Sequence, residues 1–516
     1  MNYLQKKRLA FMSIVNRTKG FVRAVLGAPP LTLFDCMDND SIINCTLSGN
    51  SVQDGTPTPD APIEIESVGE KTLNLFNPEE IIAKFESGDT YKSDAYLCTT
   101  IQLKPNTTYY VKTFNPTGRG YFYISKNSNV NAGVAQTIAI VDMSTQAYPR
   151  KYENTATTDD TGCLYIGYYG VGTVEERNRI LRENQILIVE GTYTAETCPE
   201  YESYGYRIPI KTSGKNMLDK GLSQIGYCGN YVNRNGYTSD TGNGTLWSDL
   251  TPYTGQTSTD WYVTNPIPIK PNTVYSYSGL QTANNPAYFF LEEDKTTIIP
   301  GAAIKTSKTF TTPSNARYIV MSIRNLYVET MMLEEGEITE YVPYTEPITT
   351  NIYVNEPLRK VGDYADYIDF KNQKVVRNIK ERIFNGSENW STYSAEGKYY
   401  TSVLNDSFST LDKGICSHFV WVDGARTDGQ CDFGGNGTTY FNFFVKDAVL
   451  FPTKDDLISF LQENNVKIVA VSETPDDTEI AKLPKLPTIQ GTTVYSIDTT
   501  VQPSNMNVTY YATSKE

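Results

Sequence analysis

The chain has 516 residues, with 45 Lys and Arg against 59 Asp and Glu, a net charge of −14 and a single His. The acidic excess argues against a general nucleic-acid binder. The lone His418 argues against His-based metal centres and against Ser-His or Cys-His catalysis. No apolar run approaches the ~18 residues that span a membrane. The length predicts about three or four domains, and the 38 Tyr favour a β-rich protein, because Tyr suits the surface of a sheet.

The first 27 residues predict an amphipathic helix that ends at Gly27. Six Lys or Arg and no acidic residue lie in this segment. Its apolar stripe consists of Leu4, Phe11, Val15, Val22 and Leu26, with Val25 as an alternative to Leu26. A terminal helix has no core of its own, so we expect the stripe to anchor the chain in a larger assembly or to bundle with copies of itself. Packing on the following domain and lying on a membrane surface are the alternatives.

Residues 28–70 predict a Pro-rich connector with short strands. Three prolines and two glycines fall within residues 48–62, a composition that forms ordered turns and no helix. The short strand 63–68 closes the segment.

Residues 71–210 and 211–350 predict two copies of one β-domain. The string Leu103-Lys-Pro-Asn-Thr recurs as Ile269-Lys-Pro-Asn-Thr, and each string is followed by an aromatic strand. Five segments keep the same order while their spacing drifts, as loop insertions in a duplicated domain would produce. Short strands separated by turns are typical of a jelly-roll β-sandwich.

Residues 351–516 predict a C-terminal β-rich domain with one helix. A hairpin pattern runs through residues 367–377 and turns at Lys371-Asn372, and residues 454–463 have the pattern of a helix with acidic residues at its start. The fold class that follows is mainly β: an N-terminal amphipathic helix, tandem jelly-roll β-sandwiches and this last domain.

Few residues suggest catalysis or a cofactor. The eight cysteines are scattered without a CxxC pair, which favours reduced thiols and assembly in a cytoplasm. His418 lies in an alternating strand pattern without a nucleophile elbow. The acidic pairs in the sequence do not show two carboxylates facing each other across a cleft, as a glycosidase requires. We therefore expect no enzyme and no cofactor, with a structural calcium ion at Asp159-Asp160 or at Asp240 with Asn243 as the one alternative.

Several strings resemble minor structural proteins of tailed phages and prophages that infect Gram-positive bacteria. The connector at residues 48–62 resembles a stereotyped linker of tail and baseplate proteins, residues 356–370 and 491–505 resemble their C-terminal module, and the two central copies are similar to carbohydrate-binding β-sandwiches. The resemblance implies a tail, baseplate or fibre protein of the receptor-binding type. It would sit on the virion after assembly in the host cytoplasm, with other virion proteins and host-surface polysaccharide as partners and a homotrimer as its assembly.

Sugar binding needs a flat aromatic ring beside planar polar groups. The second copy offers Trp247, Trp261 and Tyr262 in polar, turn-rich surroundings. The first offers Tyr121, Tyr123, Tyr168 and Tyr169 beside Arg119, although half-buried sheet packing also explains these tyrosines. In the last domain, Trp390 is a further candidate, although it also suits the core of a hairpin.

Two rival functions stay open in the sequence. One is a head or neck fibre or a capsid decoration protein whose sandwiches bind no sugar. The other is a tail-associated glycan hydrolase. Neither nucleic-acid binding nor membrane insertion is expected.

Overall fold

The computed structural model describes residues 46–507 except for a set of internal gaps. The gaps are 94–95, 115–120, 127, 129–136, 143–151, 170–172, 220–223, 226–260, 280–286, 298, 300–307, 325–326, 328, 371, 394–398, 404–407, 409–413, 423–428, 435–439, 445–449, 480–482, 485–492, 498–500 and 502–504. The N-terminal helix and its residues Leu4, Phe11, Val15, Val22 and Leu26 therefore lie outside the described residues. The described chain is mainly β, which confirms the predicted fold class at that level.

The first described segment contains four short strands. These are β1 (Thr46–Ser48), β2 (Ser51–Val52), β3 (Glu66–Ser67) and β4 (Glu70–Lys71). The prolines at positions 57, 59 and 62 separate β2 from β3, since proline lacks the backbone N–H that a sheet ladder needs. The two strands nevertheless pair with each other, so the connector is an ordered hairpin.

Residues 72–205 form the first sandwich, from two sheets that share one apolar core. Its strands are β5 (Tyr91–Ser93), β6 (Tyr96–Gln102), β7 (Thr108–Thr113), β8 (Tyr121–Ser125), β9 (Thr137–Asp142), β10 (Glu153–Thr157), β11 (Cys163–Tyr169) and β12 (Ile186–Glu190). One sheet has the order β10-β7-β12 and the other β5-β6-β11-β8-β9, all antiparallel. Side chains such as Val111 and Ile188 from the first sheet and Ile124 and Ile166 from the second meet in the core.

Two helices close this sandwich, and neither was predicted. They are α1 (Pro78–Ser87) and α2 (Val174–Glu183). Asn77 caps α1 through its side chain, with proline in the first turn and Gly88 in the left-handed conformation at its end. Thr173 caps α2, and Glu175 and Glu176 lie in its first turn, where acidic groups interact favourably with the helix dipole.

Residues 215–347 form the second sandwich, which follows the strand β13 (Tyr206–Gly214). Its strands are β14 (Gln224–Ile225), β15 (Trp261–Val263), β16 (Ile267–Pro268), β17 (Val274–Ser278), β18 (Ala287–Leu291), β19 (Thr309–Thr311), β20 (Tyr318–Arg324) and β21 (Met332–Glu335). A three-stranded sheet β19-β17-β21 faces a five-stranded sheet in which β15, β16 and β18 all pair with β20. The three-plus-five arrangement matches that of the first sandwich.

The repeated Lys-Pro-Asn-Thr string builds the same turn in both sandwiches. The hydroxyl of Tyr109 accepts a hydrogen bond from Lys104 N at 3.0 Å, and the hydroxyl of Tyr275 accepts one from Lys270 N at the same distance. The Asn of each string has a left-handed φ, +49° in one and +51° in the other, which Asn tolerates better than most residues. The equal geometry explains why this string recurs.

The remaining strands and one helix build the last third of the chain. They are β22 (Ile348–Val354), β23 (Lys360–Val361), β24 (Tyr364–Ala365), β25 (Tyr367–Asp369), β26 (Lys374–Phe384), β27 (Trp390–Tyr393), β28 (Tyr399–Val403), β29 (Gly414–Cys416), β30 (Val420–Trp421), β31 (Gln430–Gly434), β32 (Tyr440–Phe444), α3 (Lys454–Asn464), β33 (Val466–Glu479), β34 (Thr493–Ile497) and β35 (Asn505–Asn507). The pairing of β25 with β26 confirms the hairpin, and α3 confirms the helix.

A core that we call the central core joins segments from both ends and the middle of the sequence. Leu47, Val68, Ile208, Ile352 and Ile497 are all buried in it. Strand β13 pairs with β22 along one edge and with β4 and β34 along the other. The first sandwich is thus inserted between β4 and β13, and the second between β13 and β22. Residues 206–214, which fell across the expected boundary at 210, belong to the central core.

Candidate functional site

The five-stranded sheet of the first sandwich has an outer face that is rich in tyrosine. Along β11, Leu164, Ile166 and Tyr168 point into the core. Because successive side chains of a strand alternate between faces, the residues between them point outward, which places Tyr165 and Gly167 on the other side of the sheet. Tyr165 is half-buried there.

The strand register assembles tyrosines from neighbouring strands around these two positions. One row of paired residues crosses four strands. In this row Tyr91 of β5 pairs with Cys98 of β6, Cys98 pairs with Gly167 of β11, and Gly167 pairs with Tyr123 of β8. Tyr96 stands two residues before Cys98 on β6 and therefore points to the same face. We call the half-buried set Tyr91, Tyr96, Tyr123 and Tyr165 the tyrosine face.

The rings of the tyrosine face touch in two edge-to-face pairs. The ring centroids of Tyr91 and Tyr165 are 6.4 Å apart, and those of Tyr96 and Tyr123 are 5.0 Å apart. Tyr96 and Tyr123 lie on the strands that flank β11, about 10 Å apart at the backbone. Their rings can meet across β11 because Gly167 has no side chain between them. The two perpendicular pairs together form an aromatic layer on this side of the sheet.

Burial and hydrogen bonding fix the phenol of Tyr91. Its hydroxyl donates to the carbonyl oxygen of Ser128 at 2.9 Å. Burial raises the pKa of Tyr91 well above its usual value, and the neighbouring Cys98 and Tyr165 add to the effect. The phenol therefore stays neutral and keeps its proton for hydrogen bonding. Cys98 is fully buried beneath this side of the layer.

Two of the predicted glycan-binding residues lie at the start of one strand of the second sandwich, and a third begins a strand of the tyrosine face. Tyr121 begins β8 and pairs with Tyr169, two residues from Tyr123. Trp261 and Tyr262 begin β15 and pair with Arg324 and Ile323 of β20. Arg119 and Trp247 lie outside the described residues.

Trp390 lies inside the last domain and offers no face to a sugar. Its side chain is 2% exposed and packs between Phe384 and Phe443, with ring centroids at 5.5 and 5.3 Å. Its indole N–H donates to Glu388 at 3.3 Å. The hairpin-core alternative for this residue therefore describes its position, and the prediction of a glycan contact at Trp390 is corrected.

The outer face of the corresponding sheet in the second sandwich has a different composition. Tyr288, Phe290, Ile319 and Met321 point into the core. The alternate positions include Phe289 and Val320, each 5% exposed, and the pair of buried Leu291 with half-buried Tyr318. The ammonium group of Lys295 lies 5.0 Å from the centroid of the Tyr318 ring.

The candidate catalytic and calcium-binding groups have structural partners. His418 is 6% exposed, and its Nδ1 lies 2.7 Å from the hydroxyl of Ser417. Burial lowers the pKa of His418, so its ring is neutral near pH 7. A carboxylate oxygen of Asp159 accepts from the backbone N–H of Thr161 at 3.0 Å, which closes a turn. Asp240 and Asn243 lie outside the described residues. Among the described residues, no three His, Cys, Asp or Glu side chains cluster as metal ligands would.

A polar cleft of about 330 Å³ lies where the first sandwich joins the central core. Tyr204, Tyr206 and Lys71 line it together with Arg359 and Glu381. The guanidinium of Arg359 binds Glu381 at 3.0 Å and Glu356 at 2.6 Å, and its side chain is 4% exposed. These charges therefore compensate one another and stabilise the junction.

Sequence reasoning reached part of the tyrosine face and missed its extent. Of its four members Tyr123 was a candidate, whereas Tyr91, Tyr96 and Tyr165 were not. Of the other tyrosine candidates in this sandwich, Tyr168 points into the core. The available signal was the alternation of Tyr121 with Tyr123 and of Tyr165 with Tyr169, which puts tyrosines on one face of each strand. The register that brings β5 and β6 beside them is not visible in the sequence.

Comparison with protein-family models, with curated proteins and with solved structures yields no match to this chain. In the part of the chain that the structure describes, no helix has the length and apolarity needed to cross a membrane.

Proposed function

We propose that this protein is a structural component of a tailed-phage virion that binds polysaccharide on the surface of a Gram-positive host. The tyrosine face is the observation that carries the proposal, because it groups four half-buried tyrosines on one side of a sheet. A partly exposed ring face is the surface on which a pyranose ring stacks. Tyr is also favoured at binding surfaces for its large, rigid contact area and its polar tip.

In this proposal the protein has no catalytic role, and its parts divide the work of attachment. The basic residues 2–27 join the chain to other virion proteins, and the sandwiches are presented by the central core. Because β4, β13 and β22 are hydrogen-bonded neighbours, both chain ends of each sandwich are held by one sheet. A homotrimer would multiply individually weak contacts into a firm attachment.

Binding of the full-length protein to insoluble cell walls of the host strain tests this proposal. Tyr123→Ala and Tyr165→Ala each remove one ring of the tyrosine face, and we expect each to weaken binding about tenfold or more. Tyr364→Ala is the matched control, since Tyr364 is 48% exposed on the strand β24, away from this face. Wild-type binding by both face variants would refute the site, and equal losses in all three would point to a non-specific effect.

The location of the chain on intact particles distinguishes the rival functions. Antibody labelling at the tail tip or baseplate would support attachment, whereas labelling of the capsid or neck would favour a decoration protein. Release of soluble sugar from purified walls would instead favour the glycan hydrolase.

A further inference from the structure

Among the outer positions of β5, β6, β8 and β11 whose side chains the structure describes, none carries a charge. The register assigns ten such positions to the outer rows of the sheet. These are Tyr91, Tyr96, Cys98, Thr100, Gln102, Tyr123, Ser125, Cys163, Tyr165 and Gly167. Four are Tyr and none is Asp, Glu, Lys or Arg, although these four make up 20% of the chain. The neighbouring strand β9 adds an acidic residue, Asp142, which pairs with Tyr121.

This composition selects against an anionic ligand. A phosphate or carboxylate group brought against the aromatic layer would lose water and gain no cationic partner among the described outer positions, which is unfavourable. Sites that bind such anions use Arg or Lys, and Arg in particular forms paired hydrogen bonds with them. The net charge of −14 would repel an anionic polymer further. Phenol and amide groups, by contrast, suit the hydroxyls of an uncharged sugar.

The dimensions of the layer favour a chain over a single sugar. Tyr91 and Tyr123 belong to one row of paired residues that crosses four strands. Three strand spacings separate them, or about 14 Å. One pyranose ring covers about one tyrosine ring, so the row offers contacts to several consecutive sugar units.

We propose that the tyrosine face binds an internal stretch of an uncharged polysaccharide that lies across the strands from Tyr91 to Tyr123. This inference rests on the proposed function and specifies its ligand. It excludes polyol-phosphate and uronic-acid polymers as the primary ligand of this face.

The test uses wall polysaccharide released from the host strain and separated by anion exchange into an unretained neutral fraction and a retained anionic fraction. We expect the full-length protein to bind the neutral fraction with an affinity that changes less than about twofold between low and high salt, since no ion pair is formed. Tyr123→Ala should weaken that binding about tenfold or more, and Tyr364→Ala should leave it unchanged.

The outcomes separate this inference from the function on which it rests. Binding to the anionic fraction alone, with an affinity that falls steeply with salt, would overturn the uncharged ligand and leave glycan attachment standing. Binding to neither fraction, nor to intact walls, would overturn the proposed function itself. Fragments of graded length from the neutral fraction test the span. Affinity should rise over the first few sugar units, and a monosaccharide that binds as tightly as a longer fragment would refute an extended contact.

Discussion

The two sandwiches share the three-plus-five strand arrangement and differ in where most aromatic rings of the five-stranded sheet lie. In the second, Tyr288 stacks on Phe310 at 4.7 Å between the sheets, and Tyr275, Tyr277 and Phe290 join the same cluster. In the first, most inward positions of that sheet hold aliphatic residues such as Ile124 and Ile166, and the tyrosine face lies outside. The abundance of Tyr thus has two causes, since tyrosines such as Tyr109 pack in both cores and the first copy adds an outer group of four.

The largest expected difference is in the free energy of unfolding lost on replacing Tyr288, a core ring of the second sandwich, or Tyr123, an outer ring of the first. Tyr288 is fully buried, so Tyr288→Ala should lower the free energy of unfolding of the second sandwich by about 3–5 kcal/mol. Tyr123→Ala removes a half-buried outer ring and should cost the first sandwich about 1 kcal/mol or less. Hydrogen exchange of the strands in each sandwich measures both effects within one protein.

Tyr288→Phe is the control for the ring itself. The hydroxyl of Tyr288 is buried and has no hydrogen-bond partner among the described residues, so its removal should leave stability unchanged or raise it slightly. Equal losses for Tyr288→Ala and Tyr123→Ala would contradict the division between packing rings and surface rings.

A smaller effect tests whether the repeated turn stabilises both sandwiches equally. Tyr109→Phe and Tyr275→Phe each remove the acceptor of a backbone N–H, that of Lys104 or Lys270. Both tyrosines are 1% exposed, so we expect each variant to cost its own sandwich about 1–3 kcal/mol. Unfolding in denaturant, monitored by hydrogen exchange in each sandwich, gives the two losses of stability. A loss in one sandwich and none in the other would show that the repeated turn stabilises only one of them.

The sequence predicted those features that short segments determine. The Lys-Pro-Asn-Thr turn, the helix α3 and the hairpin of β25 and β26 follow from local residue patterns, and the structure contains all three. The caps of α1 and α2, Asn77-Pro78 and Thr173 with Glu176, were equally local signals, and the helices were missed because their apolar faces are short.

Features that depend on distant pairings could not be predicted in this way. The central core brings Leu47 beside Ile208 and Ile497, and no local pattern relates these positions. The tyrosine face requires the register of β5, β6, β11 and β8, so sequence patterns indicated only Tyr123 among its four members. Trp390 was misjudged because its polar neighbours in sequence, Glu388 and Asn389, do not reveal the Phe384 and Phe443 rings that enclose it.

The smallest expected effect comes from an ion pair that occurs at the equivalent position in each sandwich. Lys270 reaches both carboxylate oxygens of Glu335, at 2.8 and 3.1 Å, and its side chain is 14% exposed. Lys104 binds one oxygen of Glu190 at 2.8 Å with a side chain that is 72% exposed. Water and salt screen the exposed pair more strongly, and side-chain entropy opposes it, so Lys104→Met should cause no measurable loss of stability.

Lys270→Met should cost up to about 1 kcal/mol, because methionine keeps the apolar stem and deletes the ammonium group that both oxygens of Glu335 bind. Thermal unfolding of both variants at low and high salt measures the difference, and the loss should persist in part at high salt because the pair is sheltered. Wild-type stability of both variants would mean that the ion pair contributes nothing in either copy. The recurrence of Lys would then not be explained by its charge, since the hydrogen bond to the buried Tyr hydroxyl uses a backbone N–H that any residue except proline supplies.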